Sequence, residues 1–402
     1  MGRTATSTLR SWRATHDRAL LRIAISIMAV AATVWLGYEF WRLLWQTGHW
    51  GAIDLRIFHT WVNNWFAGVP LYGEVKSAMY PPATYAILWP LMGWLAFTPA
   101  RWLWAITTVI ALGWLSYLVV RHSLAESPSE RTAALLMPLS MYATGAAIGN
   151  GQLIVHIMPL LVAGLVLLNQ QQRGWRLDLL AAALVLVTFV KPSIAAPFFW
   201  IVLFVPGSLR PASLVALGYL GLTLFSGSFQ DASIITLLRD WLGHSSARAV
   251  IEGHGNVSNL SVWLGTLGLH EWILPTSLLL LIALGVWTYH HRRVDLWLLL
   301  GVTAYVARFW TYHRWYDDLL ILLPMIALFR LAKQRATTEG ADVVAGILLT
   351  ITMLVVLAPG GLFLFPPPWN MRYVAGQVIV WIIGLVFLLA QAWRKKGALV
   401  PA

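Results

Sequence analysis

The chain contains no cysteine, and charged residues make up only 11% of its 402 positions. Without cysteine there is no disulfide, no thiolate nucleophile and no cysteine-based metal site. So few charges exclude an ordinary soluble domain, where they approach about a quarter of residues. Zinc-ligand spacings, a Walker loop, a G-x-S-x-G elbow and a dinucleotide fingerprint are also missing. No internal repeat is visible, and no low-complexity segment beyond the basic tail. What the chain has in excess is apolar: hydrophobic residues are 59% of it, with 24 tryptophans. The formal charge of +12 would suit nucleic acid. Yet Arg and Lys gather at the ends of apolar runs, as cytoplasmic flanks of membrane helices do. The expected partner is the lipid bilayer, with no nucleic acid.

Apolar runs of membrane-spanning length recur from Ile23 to Trp393. They predict an all-α, polytopic transmembrane bundle, one membrane domain over 1–402. It should hold about 11 to 13 membrane helices, some short or re-entrant. Arg3, Arg10, Arg13, Arg18 and Arg22 precede a first run too long for a signal peptide and without a small-residue cleavage site. A retained helix with a cytoplasmic N-terminus is expected. This span covers roughly 23–45 and ends in an aromatic belt of Trp41, Trp45 and Trp50. Further spans are expected near 100–120, 131–148, 151–169, 178–190, 192–206, 212–226, 272–290, 295–311, 317–332, 341–358 and 372–392.

The basic loops "QQQRGWR", "HHRR", "FRLAKQR" and "WRKK" belong inside. That places "GNGQ" (149–152), "FQDASI", "TYHRWYDD" and "FPPPWNMRY" outside. For the sides to alternate, 82–97 must dip into the outer leaflet, or lie along it, without crossing. Segments 178–190 and 192–206 meet at Lys191-Pro192 and read as a broken hairpin with a lysine at its tip. Irregular backbone at membrane depth survives only where it lines a cavity. The external loops are 46–82 and 227–270. The second holds Asp231, Asp240, His244, Arg248, Glu252, His254, Asn256 and Asn259, and is expected to fold over the membrane domain.

In "GAIDLRIFHTWVNNWF", the aromatics at 58, 61, 65 and 66 form one helical stripe. Asp54, Arg56, His59, Asn63 and Asn64 form another, giving an interfacial amphipathic helix. Asp54 reads either as its N-cap or as an acid placed for chemistry, and spacing alone favours the cap. In "HRWYDD" (313–318), Arg314 and Trp315 read as interfacial anchors. His313, Asp317 and Asp318 read equally as a solvated loop and as a site, with Arg308 just upstream. Lys191 interrupts an apolar run, at a cost of about 2.5–3.5 kcal/mol unless paired. A phosphate at the outer interface would offset that cost, and so would a salt bridge to Asp54 or Asp317. "GNGQ" reads as a glycine-rich turn whose Asn150 and Gln152 also suit sugar hydroxyls. Tyr80 opens "YPP", a turn launching the dipping segment.

An Asp shortly after the first span, then "GVPLY", then "YPP" and an apolar run ending in Pro, resembles the GT-C class of integral-membrane glycosyltransferases. "GNGQLIVHIMPLL", "FVKPSIAAPFF", "GNVSNLSVWLG" and "HRWYDDLLILLP" follow in order, and together they resemble glycosyltransferase family 87 over residues 54 to 324. Mycobacterial members of that family are polyprenol-phosphate-mannose-dependent mannosyltransferases. The resemblance implies Asp54 as catalytic base, His313 beside the donor phosphate, and Lys191 as the lysine of "KP". Lys191, Arg308 and Arg314 are the expected phosphate holders. Arg56, Tyr80, Asn150, Gln152, His254, Asn256, Asn259, Asp317 and Asp318 are the expected sugar or acceptor contacts.

The implied chemistry suits this inventory. Phosphate is already a good leaving group and needs no general acid. One carboxylate must deprotonate an acceptor hydroxyl, and cations must hold the growing negative charge. A single base with in-line attack inverts the anomeric centre. The implied donor is a polyprenyl-phosphate hexose and the acceptor a glycolipid or glycan, with no metal or other cofactor. The site would lie on the extracytoplasmic side of the inner or plasma membrane. A transporter or flippase would instead spread polar residues through several spans. A lipid-linked glycan polymerase or ligase would concentrate its chemistry in one late loop.

Overall fold

The computed structural model describes residues 2–48, 50–72, 78–170, 172–248, 259–334 and 340–398. Among them the chain is helical throughout, and its β content is one isolated bridge between Met141 and Leu357. Five helices are long and apolar enough to cross a membrane: Ala19–Leu44, Phe97–His122, Leu209–Gly227, His270–His291 and Trp369–Lys395. A sixth crossing arises if Tyr142–Asn150 and Ile154–Leu168, bent by 118° at their junction, count as one.

The long helices are peripheral. On the first, Ile23, Ile27, Val30 and Val34 are exposed, a lipid-facing stripe. The interior is built from shorter pieces. All 14 residues of Leu296–Phe309 are buried, as are all of Tyr142–Asn150. A helix apolar all round belongs in a core. At about 1.5 Å per residue, Leu296–Phe309 is about 21 Å long, well short of a bilayer's hydrocarbon thickness. Such helices suffice because protein surrounds them.

The expected span at 131–148 is broken. Pro128–Leu136 starts with a capping box of Ser127 and Glu130 and ends before Pro138. Proline lacks the N–H that would continue the helix. The chain restarts at Tyr142, and the Ala358 N–H donates to the Ser140 carbonyl in the gap at 2.8 Å. The expected dipping segment is the helix Pro82–Met92, 11 residues with Pro90 inside, too short to cross alone. The hairpin at Lys191 is present between Trp175–Thr188 and Pro192–Phe204. Thr84 Oγ1 donates to the Val190 carbonyl at 2.9 Å, tying the two motifs together. In the large loop, Ile234–Arg248 lies against the "YPP" segment: Trp241 Nε1 and Ser245 Oγ both donate to the Met79 carbonyl.

Polar groups collect at opposite ends of the same helices. At one end Arg330 pairs with Asp295 at 3.0 Å, Lys333 with Glu130 at 2.8 Å, and Arg210 with Asp178 at 3.1 Å. Arg308, Lys191, Asp317 and Asp318 stand at the other end of those helices.

Candidate active site

Asp54 lies in the first turn of Ile53–Phe66 but does not cap it. The N-cap position is Ala52, in left-handed backbone conformation, with no side-chain cap bond. The helix therefore starts earlier than a cap by Asp54 would require. Asp54, Phe58, Trp61 and Trp65 are spaced at four, three and four residues, so they share one face. That is the buried aromatic face; Arg56 points to the exterior. The acid belongs to the inward stripe rather than to a separate polar one.

What surrounds Asp54 comes from distant parts of the chain. Gln152 is close enough to the carboxylate to favour its ionised form, and its Oε1 has no partner among the described residues. Tyr80, Tyr312 and Tyr316 are near enough to Asp54 and Asp317 for mutual electrostatic influence. Tyr80 is itself held by the rings of Phe58 and Trp61 at 5.6 and 6.0 Å. Burial pushes Asp54 above the usual carboxylate range, and the nearby Asp317 adds to this. Gln152 and the charges of Arg314 and Lys191 pull the other way without prevailing. Among the described residues no cation stands at salt-bridge distance from Asp54. Asp54 as a whole residue is half-buried, as is Arg314, whose Nε donates to the Tyr312 hydroxyl at 2.5 Å.

Asp317 is 1% exposed and fully engaged. Lys191 Nζ donates to both its oxygens, at 2.6 and 2.9 Å, and His313 Nδ1 lies 3.0 Å from Oδ2. Lys191 also sits over the Tyr316 ring, 5.1 Å from its centroid. His313 is buried, and its Nε2 has no hydrogen-bond partner among the described residues. Asn259 Nδ2 donates to the His313 carbonyl at 3.2 Å, while its Oδ1 caps the Leu260–Thr266 helix at Val262. Asp318 turns elsewhere, because successive residues of a 3-10 turn point about 120° apart. It accepts from Arg308 Nε and from the Tyr142 hydroxyl. Gln377 Nε2 donates to Tyr142 at 3.4 Å and to the Val355 carbonyl at 2.6 Å.

The fold thus gathers Asp54, Tyr80, Gln152, Lys191, Asn259, His313, Arg314 and Asp317. Arg308 and Asp318 form a neighbouring buried pair. Arg56 is outside the cluster, its guanidinium 4.7 Å from the Phe97 ring centroid. Asn150 accepts from Arg42 instead of facing Asp54. His254 and Asn256 lie outside the described residues. No group of three or more His, Asp or Glu side chains placed to hold a metal ion occurs among the described residues. Sequence reading overlooked the phenols of Tyr312 and Tyr316, which "TYHRWYDD" displays. It also overlooked Tyr142 and Gln377, which carry no local signal, and Glu39, a lone acid in an apolar run.

The model of glycosyltransferase family 87 matches residues 78–316, more than half of the chain. That stretch takes in Tyr80, Gln152, Lys191, Arg308, His313 and Arg314 and leaves Asp54, Asp317 and Asp318 outside. No curated protein and no solved structure matches the chain.

Proposed function

Because the chain belongs to glycosyltransferase family 87, we propose that it moves a hexose, specifically mannose, from a polyprenyl-phosphate donor. The acceptor is a lipid or glycan hydroxyl at the extracytoplasmic face of the inner or plasma membrane. One observation carries the reading. Of Asp54, Asp317 and Asp318, the last two are each taken by a buried cation, and Asp54 is not. An acid that is buried enough to hold a proton tightly, on a residue that is only half-buried, suits a general base.

In this reading Asp54 takes the proton from the acceptor hydroxyl as its oxygen attacks the anomeric carbon. Tyr80 and the other phenols line the sugar. The departing phosphate meets Arg314 and the third N–H of Lys191, joined by His313 only when its Nε2 as well as its Nδ1 carries a proton. A His held by an Asp at one nitrogen with the other free is also how a dyad base is built. His313–Asp317 is thus the second candidate for the proton.

Purified protein incubated with labelled polyprenyl-phosphate mannose and glycolipid acceptors should pass label to the acceptor with inversion. Transfer from a nucleotide sugar in its place would overturn the donor assignment. Movement of intact donor across vesicles, with no product, would favour a flippase.

The sidedness is tested separately, helped by the missing cysteines. Asp231→Cys should react in intact cells with an impermeant thiol reagent, and Gln172→Cys should not. The reverse pattern would put the site on the cytoplasmic face.

A further inference from the structure

Glu39 and Arg42 are one turn apart near the end of the first helix, facing the protein. Glu39 is 1% exposed. Acids and bases inside membrane helices are costly and are usually there for a purpose. This pair touches none of the groups assigned above to base, sugar or phosphate. It grips the glycine-rich turn: Arg42 Nη1 donates to Glu39 Oε2 at 2.7 Å, and Nη2 donates to Asn150 Oδ1 at 2.5 Å. Nη2 also reaches the Trp50 carbonyl at 3.4 Å.

The turn is pressed between this pair and the helix that carries Asp54. A Cβ on Gly149 would lie 1.8 Å from Glu39 Oε2, so the backbone rests directly on the ion pair. Gly151 has φ +73°, and a Cβ there would lie 2.5 Å from Leu55 Cβ. Glycine supplies both the left-handed turn and the close approach. The Ala52 N–H donates to the Gly149 carbonyl at 3.1 Å, fixing the turn to the start of the Asp54 helix. The residue that follows, Gln152, is 2% exposed and lies beside the Asp54 carboxylate, whose ionised form it favours.

We propose that Glu39 and Arg42 are positioning residues for Asp54: through Asn150 they lock the 149–152 turn, and the turn sets Gln152 against the carboxylate. The proposal rests on Asp54 being the base, and it moves Asn150 from substrate contact to support.

A substrate-free readout tests it. The difference in unfolding midpoint between the protein and its Asp54→Asn variant, followed across pH, reports the ionisation of Asp54. A carboxyl whose folded pKa is raised contributes fully below its unfolded pKa. The contribution is lost as pH rises and levels off above the folded value. The groups facing Asp54 are Gln152, Arg314, Lys191, Asp317 and the phenols of Tyr80, Tyr312 and Tyr316. Of these, only Gln152 is carried by the turn.

Arg42→Lys keeps the charge but not the two-pronged fork, and Asn150→Ala removes the fork's target. Each should move the levelling-off point to higher pH, by about one unit. In the transfer assay with labelled polyprenyl-phosphate mannose, each should lower kcat about ten- to hundredfold and leave the donor KM unchanged. An unmoved levelling-off point in either folded variant overturns the proposal whatever the rates do. Near-normal turnover in Asp54→Asn would be a different failure, that of the base assignment, and the thermal curves would still report on the turn.

Discussion

Asp54→Asn should lower turnover by roughly two to four orders of magnitude while the protein stays at least as stable as before. Asn keeps the shape of Asp and can still meet Gln152, but it cannot take a proton. The stability half follows from the sign of the shift. Burial raises the folded pKa of Asp54, so its ionisation at neutral pH costs the fold, and Asn removes that cost. No helix cap is lost, because Asp54 is not the cap. A purely structural acid would show the opposite pattern, with activity tracking a lowered midpoint. Labelled-donor turnover and thermal unfolding, measured on the same preparation, separate the two. Turnover near that of the unaltered protein would end the assignment and direct attention to His313 and Asp317.

The second large effect is expected at Lys191. Lys191→Met leaves the carboxylate of Asp317 buried without its cation, and breaking such a pair from one side costs about 3–5 kcal/mol. The bond is bidentate and Asp317 is fully enclosed, so the unfolding midpoint should fall sharply. Lys191→Met combined with Asp317→Leu removes both charges and should recover most of the lost stability. Binding of labelled polyprenyl-phosphate mannose should stay weak in the double variant, since the third Nζ proton is gone as well. If donor affinity returns together with stability, Lys191 is only the partner of Asp317, and Arg314 holds the phosphate without it.

Much of this could be read from the residues, and the remainder fails for a physical reason. Long apolar helices and the break at Lys191-Pro192 show as local composition. So does the crowding of charge in "HRWYDD", because polar groups stand out in an apolar run. The salt bridge from Lys191 to Asp317 was one of two pairings the cost of a buried lysine suggested. The choice between Asp317 and Asp318 was not legible. It depends on which way a 3-10 turn enters the bundle, and neighbouring acids look alike in a sequence. Arg42 and Asn150 are 108 positions apart, and Tyr142 and Asp318 are 176 apart. No periodicity records a contact across such distances. The misread cap at Asp54 has a local cause. Ala52 adopts positive φ without being glycine, so the helix begins where propensity would not place it.

At the ends of the short inner helices Asp54, Asp317 and Asp318 stand with Lys191, Arg308 and Arg314, an electroneutral set when each is ionised. In the proposed reading, a phosphate-bearing donor bound there tips the set to net negative. In so poorly screened a place the imbalance is felt strongly. In that reading the bound phosphate raises the proton affinity of Asp54, the acid without an ion-pair partner, and by reciprocity a proton on Asp54 favours the donor. The same charge makes ionised Asp54 a stronger base and leaves less of it ionised, so the two effects oppose each other in the rate and pH sets their balance.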